Sequence, residues 1–466
     1  MNIGRGEMGQ LDRAELSAQG TRRARELRED GVELVAMTFV DNSGILRTKA
    51  VPVGKLASAA AWGVGASNSF DFFLCNDVLT TGAYSHGPVG DLRLHPDLSE
   101  TTVLAAQPGW AWAPANRYDT EGVPHPQDSR ALAAKAVELL AERGYRAGMS
   151  FEIEWVVTAE SAPEDPRSAT AAPAYGYARL SQHAGYLRTL MSTLDAQTIE
   201  VVQIHPEYAS GQFELSMEVD NPVGAADMAV LAKETIREVS RQHGLRASFT
   251  PKFVPGGVGN GGHVHLSLWQ DETNLCAGGD RRYGLTPAAE SFGAGIFSRL
   301  PALLAIGAPS VVSYLRLEPH HWAGVFTAWG LENREAPLRF VQGAAGERER
   351  TANFEVKCFD LTANPYLVVA ALLFSGMAGI DADARLPEPL EVDPGSLTDD
   401  ERAARGITRL PQNLAEAVAA FESDEILKKN FGAELATTLA DVRRGEIAEF
   451  AGLSPEELCA TMRWLH

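Results

Sequence analysis

Glu152 and Glu154 stand two residues apart in Met149-Ser-Phe-Glu-Ile-Glu-Trp-Val-Val157, among large apolar residues. A strand alternates its side chains, so both carboxylates fall on one face, Cα atoms roughly 7 Å apart, while Phe151, Ile153 and Trp155 point the other way. Two like charges that close raise each other's pKa unless something positive lies between them. The pattern fits a divalent cation, a proton-sharing pair, or an edge strand with one wet face.

Four more segments carry residues of the same kind. In His205-Pro-Glu207-Tyr-Ala-Ser-Gly-Gln-Phe-Glu214, Gln212, Glu214 and Ser216 share a strand face opposite Phe213 and Leu215. Gly256-Gly-Val-Gly-Asn260-Gly-Gly-His263-Val-His265-Leu-Ser267 is a glycine-rich loop entering a strand whose His263, His265 and Ser267 face one way. Glycines let backbone N–H groups approach an anion, and a strand-borne imidazole is an available metal ligand. Asn353-Phe-Glu355-Val-Lys357-Cys-Phe359 alternates again, with Glu355, Lys357 and Phe359 on one face. Arg316, Arg334 and Arg339 form a basic group in an acidic chain, and arginine is suited to bidentate binding of carboxylate or phosphate.

The chain that must position these residues has 466 amino acids, 45% of them hydrophobic, enough for two or more domains. A net charge of -20 argues against nucleic acid or an anionic membrane surface as partner. Cys75, Cys276, Cys358 and Cys459 show no paired spacing, which fits a reducing cytoplasm. The early charges Arg5 and Glu7 and the helix-like stretch 11–30 give no apolar signal region. The apolar run 366–380 is too short to span a bilayer, and Asn364-Pro365 before it reads as an N-cap with Pro at the first helical position, hence a core helix.

Two strands, 33–40 and 45–51, flank Asp41-Asn-Ser-Gly44 as a hairpin in a small N-terminal α+β domain ending near Ala115. Residues 128–143 read as an amphipathic helix with Leu132, Ala136, Leu139 and Leu140 on its apolar face. Segments 160–173 and 382–405, rich in Ala and Pro, read as surface loops.

In order and content these segments resemble the glutamine synthetase superfamily, type I bacterial branch, over nearly the whole chain: the Asp41–Gly44 hairpin, Phe151-Glu-Ile-Glu154, Glu207 to Glu214, Asn260-Gly-Gly-His-Val-His265, Asn333-Arg334, Glu355-Val-Lys357 and Ala363-Asn-Pro-Tyr366. The resemblance implies an α+β protein: a β-grasp domain with an N-terminal helix over residues 1–115, and a catalytic domain over 116–466 whose curved antiparallel sheet lines a funnel. It implies a homo-oligomer, a dodecamer of two stacked hexameric rings, with a neighbour completing each site. Its partners are glutamate, ATP as co-substrate and a small amine. Carried over, Glu154, Glu207 and Glu214 hold one Mg²⁺ or Mn²⁺, and Glu152, His263 and Glu355 the second. Oxygen ligands with one imidazole suit these ions. Arg316 holds the glutamate carboxylate beside Gly259 and Asn260; Arg334, Arg339 and Lys357 serve the phosphates and transferring groups; His265, Ser267 and Arg339 line the nucleotide site. The implied reaction passes through a γ-glutamyl phosphate that an amine then attacks.

Departures from the family pattern bear on the amine. The family's ammonium-binding Asp is replaced within Gly65-Ala-Ser67-Asn-Ser-Phe70, and gap-free spacing from Arg316 puts Trp322 where a flap Glu is usual. Each lost acid removes a charge-assisted hydrogen bond of about 1.5–3 kcal/mol, so ammonium binding weakens. Ser67 and Trp322 instead suit an amine with an organic tail, as in γ-glutamylethanolamide and γ-glutamylpolyamine synthetases. A small, ethanolamine-like monoamine is favoured, because a polyamine calls for further carboxylates at the entrance, which Asp71 and Glu318 could supply. A true glutamine synthetase and an inactive relative are the alternatives. His320, His321 and Glu318 are candidate bases for the amine. Lys357 stands for the usual Arg and loses the planar fork. Residues 397–431 contain no Tyr, so regulatory adenylylation is not expected.

Overall fold

The computed structural model describes residues 11–170 and 172–466. Arg5 and Glu7, and Ala171 in the segment 160–173, lie outside the described residues. The architecture is α+β, two mixed sheets with helices packed on them.

The smaller sheet runs Leu46–Pro52, Leu34–Val40, Trp110–Tyr118, Asp91–Pro96, Val64–Ser67, with Thr102–Val103 also on Trp110–Tyr118. Leu34–Val40 and Trp110–Tyr118 are parallel, and the other pairs antiparallel. Its last strand passes residue 115 and ends at Tyr118. Val35, Met37 and Phe39 bury one face with Leu94, Ala111 and Ala113 against Leu27 and Leu56 of the helices Arg13–Glu29 and Leu56–Trp62.

The hairpin turn has the expected form. Asp41 Oδ1 accepts from the amides of Ser43 and Ile45, and Gly44 takes φ +77°. A Cβ on Gly44 would lie 1.9 Å from the Thr362 carbonyl, so only glycine lets the turn seat there. Asn364 Nδ2 donates to the carbonyls of Val40 and Asp41, while its Oδ1 caps the amides of Tyr366 and Leu367. One residue thus ties the small sheet to the start of the core helix Pro365–Asp381, whose apolar run is buried as expected.

The larger sheet runs Trp329–Leu331, Leu338–Val341, Asn353–Val356, Val264–Gln270, Arg146–Ala159, Gln212–Met217, Val201–Pro206, with Leu245–Ser248 and Thr273–Asn274 appended. All pairs are antiparallel except Trp329–Leu331 with Leu338–Val341. Phe151, Ile153 and Trp155 are at most 4% exposed and join the main core, each stabilising the fold by about 1.5–3 kcal/mol. The helices Ser129–Glu142 and Pro222–Gln242 pack on the central strand Arg146–Ala159. The alternate positions, Glu152 and Glu154, are left for the other face.

Two expectations need correction. Segment 382–405 is not all loop: it includes the helix Asp399–Ala404, started by a capping box between Thr398 and Glu401. Phe359 does not share a face with Glu355 and Lys357, because the strand ends at Val356; the ring is in the core against Gly307. The apolar face of Ser129–Glu142 is as expected: Leu132, Ala136 and Leu140 are buried, and half-buried Leu139 packs against the same core.

Candidate active site

Strand register explains how residues far apart in sequence meet. Glu154 pairs with Glu214, Glu152 with Ser216, Phe151 with Val264, and Glu355 with both His265 and Arg339. The polar faces of these strands form one side of a cavity of about 900 Å³ lined by Glu152, Glu154, Glu207, Glu214, His263, Glu355, Lys357, Gly259, Arg316, Arg334, Arg339 and Trp322. Twelve of the expected site residues therefore meet in one space.

Four do not line it. Asn260 is buried and spent on the fold, donating to the Thr250 carbonyl and accepting from Gln212. Ser267 Oγ accepts from Trp269 Nε1 at 2.8 Å. His265 stands just behind the cavity, Nε2 3.3 Å from Glu152 Oε1 and Nδ1 2.8 Å from Asn353 Oδ1. Ser67 remains in the small sheet, bonded to Ser69. Asp71 offers nothing to an amine in this arrangement: it is buried, held by Arg117 Nη1 and by His125 Nε2 at 2.7 Å.

The carboxylates are tightly held. Glu154 Oε2 accepts from the Gly261 amide at 2.8 Å and from Gln212 at 3.0 Å. His263 Nδ1 lies 3.0 Å from Glu152 and 3.5 Å from Glu355. Glu355 also receives Lys357 Nζ and Arg339 Nη1, each at 2.9 Å. A Cβ on Gly259 would fall 2.7 Å from Arg316 Cγ, and one on Gly261 2.4 Å from His263 Nε2, so both positions exclude a side chain.

Sequence reasoning missed several contributors. His205 Nε2 is 3.2 Å from Glu214 and its Nδ1 3.6 Å from Glu207; its spacing two residues before Glu207 was a readable signal. Tyr175, at φ +53°, donates its hydroxyl to Glu207 at 2.8 Å from an irregular loop with no periodic pattern. Gln212, which alternation puts beside Glu214, bridges Glu154, the Gly259 carbonyl and Asn260, a role the pattern does not carry.

Electrostatically the cluster is divided: Glu207 and Glu214 are short of positive charge, while Glu152 and Glu355 have it close by. Burial, with Glu152 and Glu154 adding to it, pushes Glu214 up to about 7 against the pull of His205. Burial and then Glu154 raise Glu207 as well. The histidines take up protons in response: the Glu214 hydrogen bond lifts His205 to about 9, and Glu152 overcomes burial to lift His265 to about 9. Burial opposes ionisation of Glu355, but Lys357 and the two histidines outweigh it and hold it far below the usual carboxylate range.

Three groups of donor atoms lie close enough to share an ion: Glu152, Glu214 and His263; Glu152, His265 and Glu355; and His205, Glu207 and Glu214. Oxygen with imidazole is the donor set of Mg²⁺ or Mn²⁺. Glu154, which accepts from Gly261 and Gln212, is not in these three groups, while His205 and His265, outside the expected ligand set, are. Arg316 donates Nη2 to the Lys357 carbonyl at 3.0 Å and lies 3.2 Å from His263 Nε2, but among the described residues its buried Nη1 has no partner, a donor left for an anionic ligand.

Residues 126–459 match the model of the glutamine synthetase catalytic domain. The chain belongs to the glutamine synthetase family. It is an ATP-dependent ligase joining glutamate to an amine, in a family that uses divalent metals. Within that family it is 49% identical, over 98% of both chains, to the γ-glutamylpolyamine synthetase GlnA3 of Streptomyces coelicolor. It is 30% identical to the glutamate–methylamine ligase of Methyloversatilis universalis, over 87% of this chain and 90% of that one. A solved structure of a novel glutamine synthase homolog superposes with a TM-score of 0.84 at 32% identity, covering 93% of this chain and 99% of the other. Among the described residues no helix is long and apolar enough to cross a membrane.

Proposed function

We propose that this member of the family ligates the γ-carboxylate of glutamate to one end of a polyamine, with ATP converted to ADP and phosphate. The observation carrying the choice of amine is a second cavity of about 530 Å³, which shares Trp322 and Arg334 with the first and is lined by Glu332, Glu335, Glu391 and Asp393. Ethanolamine was the favoured amine because a polyamine calls for carboxylates at the entrance, and these four stand there. Glu332 is engaged by Arg339 and Asp393 by His320, but among the described residues no salt bridge reaches Glu335 or Glu391. Glu335 accepts from the Trp322 amide at 2.9 Å and Glu391 from the Tyr283 hydroxyl at 3.4 Å, so each has a neutral donor but no cation, which leaves its charge to a distal ammonium group. The similarity to a γ-glutamylpolyamine synthetase points the same way.

In this reading Arg316 Nη1 takes the glutamate α-carboxylate, while Arg334, Arg339 and Lys357 meet the phosphates and the γ-carboxylate. Glu152, Glu154, Glu207, Glu214, His263 and Glu355 hold two divalent cations, joined by His205 and His265. When bound, these supply Lewis-acid charge to the phosphate oxygens. His265 and Ser267 lie toward the nucleotide. The amine nitrogen attacks the acyl phosphate after losing a proton to His321, which lines the cavity with its Nδ1 3.2 Å from Glu318. Glu318 is itself 3.3 Å from Lys252 and outside the cavity, and its approach to His321 is an ion-pair contact without a hydrogen bond.

The same proposal includes the division into residues 1–115 and 116–466, and the ring dodecamer. Ser67 stays away from its own chain's cavity, which supports its delivery to a neighbour's. Four unpaired, buried cysteines are in keeping with a cytoplasmic setting. The test gives the protein ATP, glutamate and Mg²⁺ with putrescine, spermidine, ethanolamine or ammonium at equal concentrations, reading phosphate release and amide mass. Polyamines should exceed ethanolamine in kcat/KM by about tenfold or more. Equal use of ethanolamine or ammonium would sink the polyamine assignment.

A further inference from the structure

Behind the catalytic sheet lies another cavity, of about 410 Å³ and mainly apolar. One wall is the second face of the small sheet, Ala36, Thr38, Val40, Leu46 and Thr48, brought together by the Thr38 to Thr48 and Val40 to Leu46 register. The opposite wall includes Phe151 and Val264, whose neighbours Glu152 and His263 face the active site. The helix Pro222–Gln242 contributes Lys233, and the ring of His466 closes one side.

Among the described residues Lys233 is an ammonium without a carboxylate in salt-bridge contact. Its Nζ donates to the Leu361 carbonyl at 2.7 Å and lies 5.4 Å from the Phe249 ring centroid. Among the described residues none of the nearby carboxylates forms a salt bridge with it. Glu234 is 3.4 Å from Arg237, Glu238 is 2.6 Å from Arg241, and Asp360 accepts from Thr362 through Oδ1, its buried Oδ2 without a partner and its carboxyl pushed up by burial. Burial, with Arg237 adding to it, pushes Lys233 down to about 8. His466 is 3% exposed, and its Nδ1 has no partner. Burial and the charges of Lys233 and Arg237 hold its ring neutral. A half-buried ammonium with a carbonyl but no carboxylate beside it, and a buried ring nitrogen unsatisfied among the described residues, are completed by an anionic acceptor. The volume is that of a small-molecule site.

We propose that this cavity is a second ligand site, taking a small monocarboxylate whose charged end meets Lys233 and the His466 ring and whose apolar tail fills the space against Phe151, Val264 and the small sheet. A carboxylate would neutralise the ammonium, and a neutral imidazole can donate to its second oxygen. The catalytic cavity takes no part in this recognition.

The probe is octanoate, titrated calorimetrically into the intact protein beside octan-1-ol, which has the tail without the charge. Octanoate should bind about tenfold or more tighter than octan-1-ol. Lys233→Met should erase that difference while leaving ligase activity intact. Ala36→Trp, which plugs the space, should abolish both. With the unaltered protein, octanoate affinity should fall as pH rises through about 8, where Lys233 loses its proton. Equal binding of acid and alcohol, affinity indifferent to Lys233→Met, or no loss of octanoate affinity above that pH would each overturn the assignment. So would an Ala36→Trp variant that changes the sedimentation coefficient and leaves octanoate binding unaltered, since the groove would then belong to a second copy of the chain.

Discussion

On the floor of the catalytic cavity the chemistry stands on regular strands, and at its entrance it stands on turns. Glu152, Glu154, Glu214 and Glu355 are fixed by backbone pairing, each opposite another site residue or one position from it. At the entrance His320, Trp322 and Glu332 all have positive φ, at +64°, +53° and +51°. The Trp322 amide donates to Glu335 Oε1 at 2.9 Å, Arg334 lies 5.4 Å from the Trp322 ring centroid, and His320 holds Asp393 at 2.7 Å. Backbone strain of this kind persists only where neighbours over-determine it. A rigid acidic floor suits phosphoryl chemistry common to the family, while a rim of turns can change its side chains without disturbing the sheet.

That contrast predicts where substitutions act on every amine and where they act on one. Glu355→Gln should have the largest effect, lowering phosphate release with any amine by more than roughly a hundredfold, since even indirect metal partners reach that cost. It would also leave Arg339 and Lys357 without their carboxylate. Activity within tenfold of the parent, by coupled phosphate assay, would break the distinction. Next comes His321→Gln, expected to lower kcat about a hundredfold, the lower end for loss of a general base, with KM for glutamate unchanged. If KM for glutamate rises and kcat holds, His321 is a binding residue.

The floor was legible in the sequence and the rim was not, for physical reasons. Period-two alternation placed Glu152 with Glu154 and Gln212 with Glu214 before any coordinates, because strand geometry is local. Where a strand stops, the rule stops: Phe359 was assigned to the wrong face because nothing in Glu355-Val-Lys357-Cys-Phe359 marks the end at Val356. The capping box at Thr398 was readable and was passed over. Asp393 and Glu335 were invisible for a different reason. They reach Trp322 and His320 across loops, 73 residues apart in the His320 to Asp393 pair, and no spacing encodes that meeting. The docking of Asn364 on Val40 and Asp41 was likewise out of reach, although its role as an N-cap was read correctly.

A smaller and more selective effect should follow at the rim. Glu335→Gln keeps an acceptor for the Trp322 amide but removes the charge. Burial has raised this carboxyl's pKa, against the pull of the Trp322 amide. With polyamines kcat/KM should fall about tenfold, the value of one charge-assisted hydrogen bond, and with ethanolamine it should barely change. Equal losses for both amines would show that Glu335 only props up Trp322.

The smallest expected effect separates the two regions without catalysis. A divalent cation that binds only the folded state at a hundredfold over its Kd stabilises by about 2.7 kcal/mol, a rise of a few degrees in Tm for a chain of this size. Mg²⁺ without nucleotide should therefore raise Tm by differential scanning calorimetry. Glu152→Gln should remove most of the rise, because Glu152 belongs to two of the three donor groups. Glu335→Gln should leave it unchanged, because Glu335 belongs to none of them. If Mg²⁺ shifts both variants alike, the ion is bound outside the glutamate floor, and the division between a metal-holding floor and an amine-selecting rim fails at its first half.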